Sequence, residues 1–175
     1  YFFSTFSVFV GVEIKFSAKF LLKGEETMKF FLFFAIILDF SSSVNIEITC
    51  DKGLSDFLIN NGISTCFVKK IKPDVLYRSD EISKCSVNQS GSDCSSFFGF
   101  QASRKLISYF PIKLSIFFPQ LRAISIIESG LKELNRMDLK NFEKLRELHL
   151  DYNKIEYLEE NLFKNNSILQ VIRQY

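Results

Sequence analysis

The chain has 175 residues, enough for one domain with a real core or for a small cap followed by a few repeats, and a formal net charge of +2 with no block of like charges. That balance leaves no electrostatic footprint for nucleic acid or for an anionic membrane surface. Hydrophobic residues make up 47% of the whole, yet eleven of the twenty-one Phe fall within the first forty residues, so the average misdescribes the rest of the chain.

Residues 1–27 begin with Tyr1, are rich in Phe and carry scattered Lys15, Lys19 and Lys23. They read as an upstream artefact of translation, with a longer leader or an authentic preceding segment as the competing reading. Met28-Lys29 then precedes an apolar run from Phe30 to Leu38 and the small residues Ser41-Ser42-Ser43. This is the order of a signal peptide over residues 28–43, with cleavage expected after Ser43. The run falls short of the roughly 20 apolar residues needed to span a bilayer.

From Val44 to Ser96 short apolar stretches, Val44 to Ile48 and Cys66-Phe67-Val68, are separated by the turn signals Asn60-Asn61-Gly62 and Ser90-Gly91-Ser92. Short strands are expected here. All four cysteines, Cys50, Cys66, Cys85 and Cys94, lie in this window at intervals of 16, 19 and 9. No Cys-x-x-Cys pair suggests zinc, and the single His, His149, is far away, so two disulfides in an oxidising compartment are expected. Three connectivities are open, and the local pairing Cys50–Cys66 with Cys85–Cys94 is favoured. Residues 44–96 therefore read as a small disulfide-rich β-type N-terminal cap.

The next segment repeats itself. Leu121, Ile124, Ile126, Leu131, Leu134 and Leu139 recur 24 positions later as Leu145, Leu148, Leu150, Ile155, Leu158 and Phe163, and Leu169 and Ile172 open a further copy. The pattern L-x-x-L-x-L-x-x-N-x-L, complete at Leu145 to Ile155 with Asn153 in the polar column, resembles the leucine-rich repeat family, in particular its extracellular 24-residue class. Residues 97–120 match more weakly: Phe97, Phe100, Ala102, Ile107 and Phe110 keep the columns, whereas Lys105 replaces the Asn and Gly99 sits inside the expected strand. Ser129 occupies the Asn column of the next copy. Residues 97–175 are accordingly expected to be truncated leucine-rich repeats, continuing beyond Tyr175 in the natural protein.

The resemblance implies an α/β leucine-rich repeat solenoid, with short parallel strands on a concave face and irregular or short helical returns. It also implies that Asn153 bonds to neighbouring backbone where the chain leaves the strand. Period-two alternation sends Leu148 and Leu150 to one face of a strand and His149 to the other. The outward columns then hold Ala123, Glu147 and Val171, next Ser125, His149 and Arg173, and last Ile127, Asp151 and Tyr175, with Glu128 and Tyr152 at their flank. The expected protein-binding face is Ser125, Ile127, Glu147, His149, Asp151, Tyr152, Arg173 and Tyr175, because Tyr and Arg tend to anchor interfaces.

No catalytic residue, cofactor or metal is expected. Ser125, His149 and Asp151 share a face but lack a nucleophile elbow or an oxyanion-hole loop, and a flat open sheet would not exclude water. Glu159 and Glu160 read as solvated surface. Sequons at Asn88 and Asn165 fit a secreted glycoprotein. The expected function is protein recognition by a secreted protein or receptor ectodomain on the extracellular side of the plasma membrane. A structural or matrix scaffold is the alternative, and membrane attachment is expected only if the full-length chain continues into an anchor.

Overall fold

The computed structural model describes residues 44–57, 59, 61–73, 78–88 and 93–175. The segments expected as an upstream artefact (1–27) and as a signal peptide (28–43) lie outside the described residues. Seven strands form one mixed sheet: β1 (Asn45–Ser55), β2 (Ile63–Lys72), β3 (Glu81–Val87), β4 (Gly99–Ser103), β5 (Ala123–Ile127), β6 (Glu147–His149) and β7 (Val171–Arg173). Their spatial order is β3-β1-β2-β4-β5-β6-β7. The β1–β2 pair is antiparallel, and every other neighbour is parallel.

This overturns the expected fold class. Helix is confined to α1 (Leu114–Phe117), α2 (Arg136–Leu139) and a single 3-10 turn at Cys94–Ser96, so the described protein is a strand-built mixed sheet rather than the expected α/β solenoid with irregular or short helical returns. The physical reason lies in the return segments. Pro111 and Pro119 bracket α1 and remove backbone donors, and four-residue helices gain too little from their own hydrogen bonds to extend. The segment expected as the cap joins the same sheet, since β2 pairs with β4 at Thr65↔Gly99, Cys66↔Phe100 and Phe67↔Gln101.

Alternation explains β1, where Ile46, Ile48 and Cys50 are buried and the residues between them are not. The strand expected at Val44 to Ile48 thus runs on to Ser55, and β3 had no sequence forecast. Both favoured disulfides form, Cys50–Cys66 and Cys85–Cys94, and they pack together with the Cys50 and Cys85 sulfurs 4.0 Å apart. No free cysteine occurs among the described residues. Two disulfides are physically at home in an oxidising compartment. No described helix is long and apolar enough to cross a membrane.

From β4 onward the strands stand 24 residues apart in register, with Gly99 opposite Ala123, Ala123 opposite Glu147 and Glu147 opposite Val171. The backbone keeps the same step: Arg146 N donates to Arg122 O at 2.8 Å and Gln170 N to Arg146 O at 2.9 Å. Arg104, Glu128 and Tyr152, also 24 apart, all take left-handed φ values of 54°, 50° and 57°. That conformation disfavours a residue with a Cβ. It is held because each of these N–H groups donates to the next turn of chain, at Ile127 O, Asp151 O and Tyr175 O.

The residue after each left-handed turn then carries the polar column. Asn153 Nδ2 donates to Ile126 O at 2.6 Å and Leu150 O at 2.9 Å, while its Oδ1 accepts from Ser129 N and Leu131 N. Ser129 does less with one hydroxyl, donating to Ile127 O and accepting from Lys105 N. Lys105 instead reaches out to Lys69 O at 2.9 Å. Beneath the sheet Phe97, Phe100 and Phe118 cluster, with ring centroids 6.4 and 5.4 Å from Phe118, and they join Ile124, Ile126, Leu148 and Leu150 in one core. On the return after β6, Leu162 is the fully buried residue and the expected Phe163 is half-buried. Asn166, which the sequence did not single out, donates from within the core to Leu139 O and Phe142 O.

Candidate functional site

The strand face opposite the core carries Gly99 and Gln101 on β4, Ala123, Ser125 and Ile127 on β5, Glu147 and His149 on β6 with Asp151 just beyond, and Val171 and Arg173 on β7 with Tyr175 just beyond. Register sets Gln101, Ser125, His149 and Arg173 in one row across four strands. The outward alignment read from the sequence is therefore present, but its solvation is not. Ser125, Glu147, His149 and Asp151 are all buried, Ile127 and Arg173 are half-buried, and only Tyr152 and Tyr175 are well exposed, at 66% and 79%.

The cover comes from the β1–β2 connection. Ser55 Oγ donates to Gln101 Oε1, the Phe57 ring meets His149 edge-on with centroids 5.5 Å apart, and Ile59 N donates to Glu147 Oε1 at 2.8 Å. This strap makes contacts on β4 and on β6. Gly99 is explained by it: a Cβ there would lie 2.3 Å from Thr65 Oγ1 and 3.1 Å from the Phe57 ring. What looked like a flaw in the expected strand is a site of close approach. The strap closes on itself where Gly62 N donates to Asp56 Oδ1, with Gly62 at φ +63°.

Burial sets the electrostatics of the row. Desolvation pushes the His149 imidazole below its ordinary range; Glu147 opposes this, Arg173 adds to it and Asp151 opposes it. The Glu147 carboxylate lies 3.4 Å from His149 Nε2. Further along, Asp151 Oδ2 is 3.9 Å from Arg173 Nε, and the Arg173 guanidinium stacks 5.6 Å from the centre of the Tyr175 ring. Tyr152 and Tyr175 are joined through the backbone at 2.8 Å. At the outer rim Arg104 Nε donates to Glu128 Oε2 at 2.8 Å, and this bond holds the Glu128 carboxyl below its usual range.

No hydrogen bond joins Ser125 to His149 among the described residues, so the three groups that share a face do not form a relay. Two concavities, one among Thr49, Lys69, Lys70 and Asn88 and one among Arg78, Tyr109, Glu133 and Asp138, both lie away from this row. Three cysteine sulfurs, those of Cys50, Cys85 and Cys94, lie within 4.8 Å of one another, and both disulfides already occupy them. Of the sequon residues, Asn165 is exposed, whereas Asn88 is half-buried and its Nδ2 donates to Asp51 Oδ1 at 2.7 Å. Glu159, expected as solvated surface, is exposed and accepts from Arg136 N, while Glu160 is exposed.

Sequence reading missed Phe57 and Ile59. The signal was present as apolar Phe57 and Ile59 just ahead of the turn signal Asn60-Asn61-Gly62. No protein-family model, curated protein or solved structure matches this chain.

Proposed function

We propose that this chain is an extracellular protein-recognition module of the leucine-rich repeat kind, binding its partner at the rim left open beside the strap. The observation that carries the reading is the exposed Tyr152, whose N–H donates to Tyr175 O, beside the Arg173 guanidinium stacked on the Tyr175 ring. Rigid aromatic rings and a planar guanidinium supply contact area with little loss of side-chain freedom, and they dominate interface hot spots. The buried Glu147 and His149 seat the strap, and they and the buried Ser125 do not contact the ligand. Ile127 and Asp151 border the open rim.

The reading as a binder rather than an enzyme is supported by His149 lying buried beneath Phe57 and unlinked to Ser125. The two disulfides support a secreted or cell-surface location. A matrix scaffold is the second reading, favoured by the strap that removes most of the strand face from solvent. The test is an array of extracellular proteins probed with the secreted chain and with the triple variant Tyr152→Ala, Arg173→Ala, Tyr175→Ala. Ligands should lose at least about tenfold in affinity, the effect of about 1.4 kcal/mol at a modest hot spot. Ligands indifferent to the triple change, or a hydrolytic activity abolished by His149→Ala, would overturn the proposal.

A further inference from the structure

The head of β1 is clamped on both sides. Val44 N donates to Asp80 Oδ1 at 3.1 Å, and Val44 O accepts from Glu81 N at 3.3 Å. Asp80 is 1% exposed, so its carboxylate sits out of water at the point where the sheet begins, while Val44 retains 37% exposure. Neighbouring Glu81 is engaged by an ion pair with Lys113. Val44 is also the residue that the leader reading leaves first after cleavage behind Ser43.

We propose that Asp80 is a receptor for the α-ammonium group created when the leader is removed, so that maturation locks the head of β1 with a charge-assisted bond. The inference rests on the secretory reading above. Hydrolysis of the Ser43–Val44 peptide bond consumes one water, leaves a carboxylate on Ser43 and gives Val44 a free amine that holds the transferred proton as an ammonium. An amide N–H offers Asp80 one dipole. The ammonium offers a full charge from the same atom, and charge-assisted hydrogen bonds are roughly twice as strong as neutral ones. Whatever else Asp80 contacts, cleavage improves this partner without moving it. Cleavage one residue further along would carry the charge about 3.8 Å away along the chain. Only a cut between Ser43 and Val44 would therefore put the charge on the atom that faces Asp80.

The test expresses the full chain through a eukaryotic secretory pathway, maps the N-terminus by mass spectrometry and follows acetylation of the α-amine by an N-hydroxysuccinimide ester at neutral pH. An ammonium held by a buried carboxylate gives up its reactive free-base form less readily. The Val44 amine should therefore label at least about tenfold more slowly in the folded protein than in denaturant, the effect of a one-unit shift. Asp80→Asn should abolish that protection. Insertion of a glycine between Ser43 and Val44, which keeps Asp80 but moves the amine by one residue, should abolish it as well and decides the matter if Asp80→Asn is not secreted. An N-terminus elsewhere overturns the leader boundary and the proposal together. An N-terminus at Val44 that labels as fast folded as unfolded, or a glycine-headed chain that remains protected, overturns the pairing alone.

Discussion

The two ends of the sheet solve one problem by different means. Around β1, β2 and β3 the register slips at Ile46/Glu47 and at Thr49/Cys50, strand direction changes, and two disulfides tie the strands together. From β4 to β7 the register never slips, and no covalent link occurs in that stretch among the described residues. Where each 24-residue step places the same donor beside the same acceptor, side-chain columns such as Asn153 and Ser129 satisfy the backbone. Where spacing is irregular, that economy is lost and covalent ties take over. The strap is the meeting point, since it grows from the irregular end and lies on the regular one.

The largest expected effect tests whether the regular end depends on its inward column. Leu148 is fully buried between Ile124 and Ile172, so Leu148→Asp would strand a carboxylate in the core at a cost of about 5 kcal/mol and abolish secretion of folded protein. A secreted, cooperatively melting variant would show that this column does not carry the fold. Next comes the polar column: Asn153→Ala leaves three carbonyls and two N–H groups without their side-chain partner and should cost about 3 kcal/mol in denaturant titrations, against about 1 kcal/mol for Ser129→Ala. Equal losses at the two positions would contradict the graded role assigned to them.

At the irregular end, replacing Cys85 and Cys94 together by Ala should cost about 2.5 kcal/mol, because the tie closes a short loop. Hydrogen exchange should rise in β3 and remain unchanged in β6; loosening of both would mean that the two ends are not distinct cooperative units. At the seam, Gly99→Ala forces a contact with Thr65 Oγ1 and should cost about 2 kcal/mol, with part of the loss recovered when combined with Thr65→Ala. Strict additivity in that double-mutant cycle would refute the close approach.

The smallest effect concerns pH. His149 has a depressed affinity for protons in the folded state, so the unfolded chain binds the proton first as pH falls, and stability drops through the ordinary imidazole range and below it. The lowered carboxyls of Asp51, Asp93 and Glu128 contribute stability above their ordinary range and lose it only at more acidic pH, so the windows separate. Urea midpoints at about pH 7.5 and about pH 5.5 should differ for the parent chain and converge for His149→Gln. A difference that persists in His149→Gln would assign the pH dependence to another group.

Much of this was legible in the residues. The 24-residue recurrence marked the inward columns, with alternation visible at Ile124 and Ile126 and again at Leu148 and Leu150, and cysteine intervals favoured the pairing that forms. The row Ser125, His149, Arg173 followed from the same arithmetic. The α/β solenoid class, with its irregular or short helical returns, was over-read, because family resemblance carries an architecture that the prolines and short apolar stretches of this chain do not support. Phe163 was preferred to Leu162 because return segments lack a strict period, and one residue of drift exchanges the buried and half-buried positions.

Sequence alone determined which side chains share a face, because strand alternation and a fixed repeat length are local properties of the chain. Only the tertiary structure decided which face meets water. The strap that buries Glu147 and His149 joins positions 88 residues apart at Ile59 and Glu147, and no periodic signal links them. The same holds for Asp80 beneath Val44, 36 residues away. Periodicity reports contacts that recur at a fixed step; a contact made once, between segments of different spacing, leaves no such trace and depends on how the chain packs.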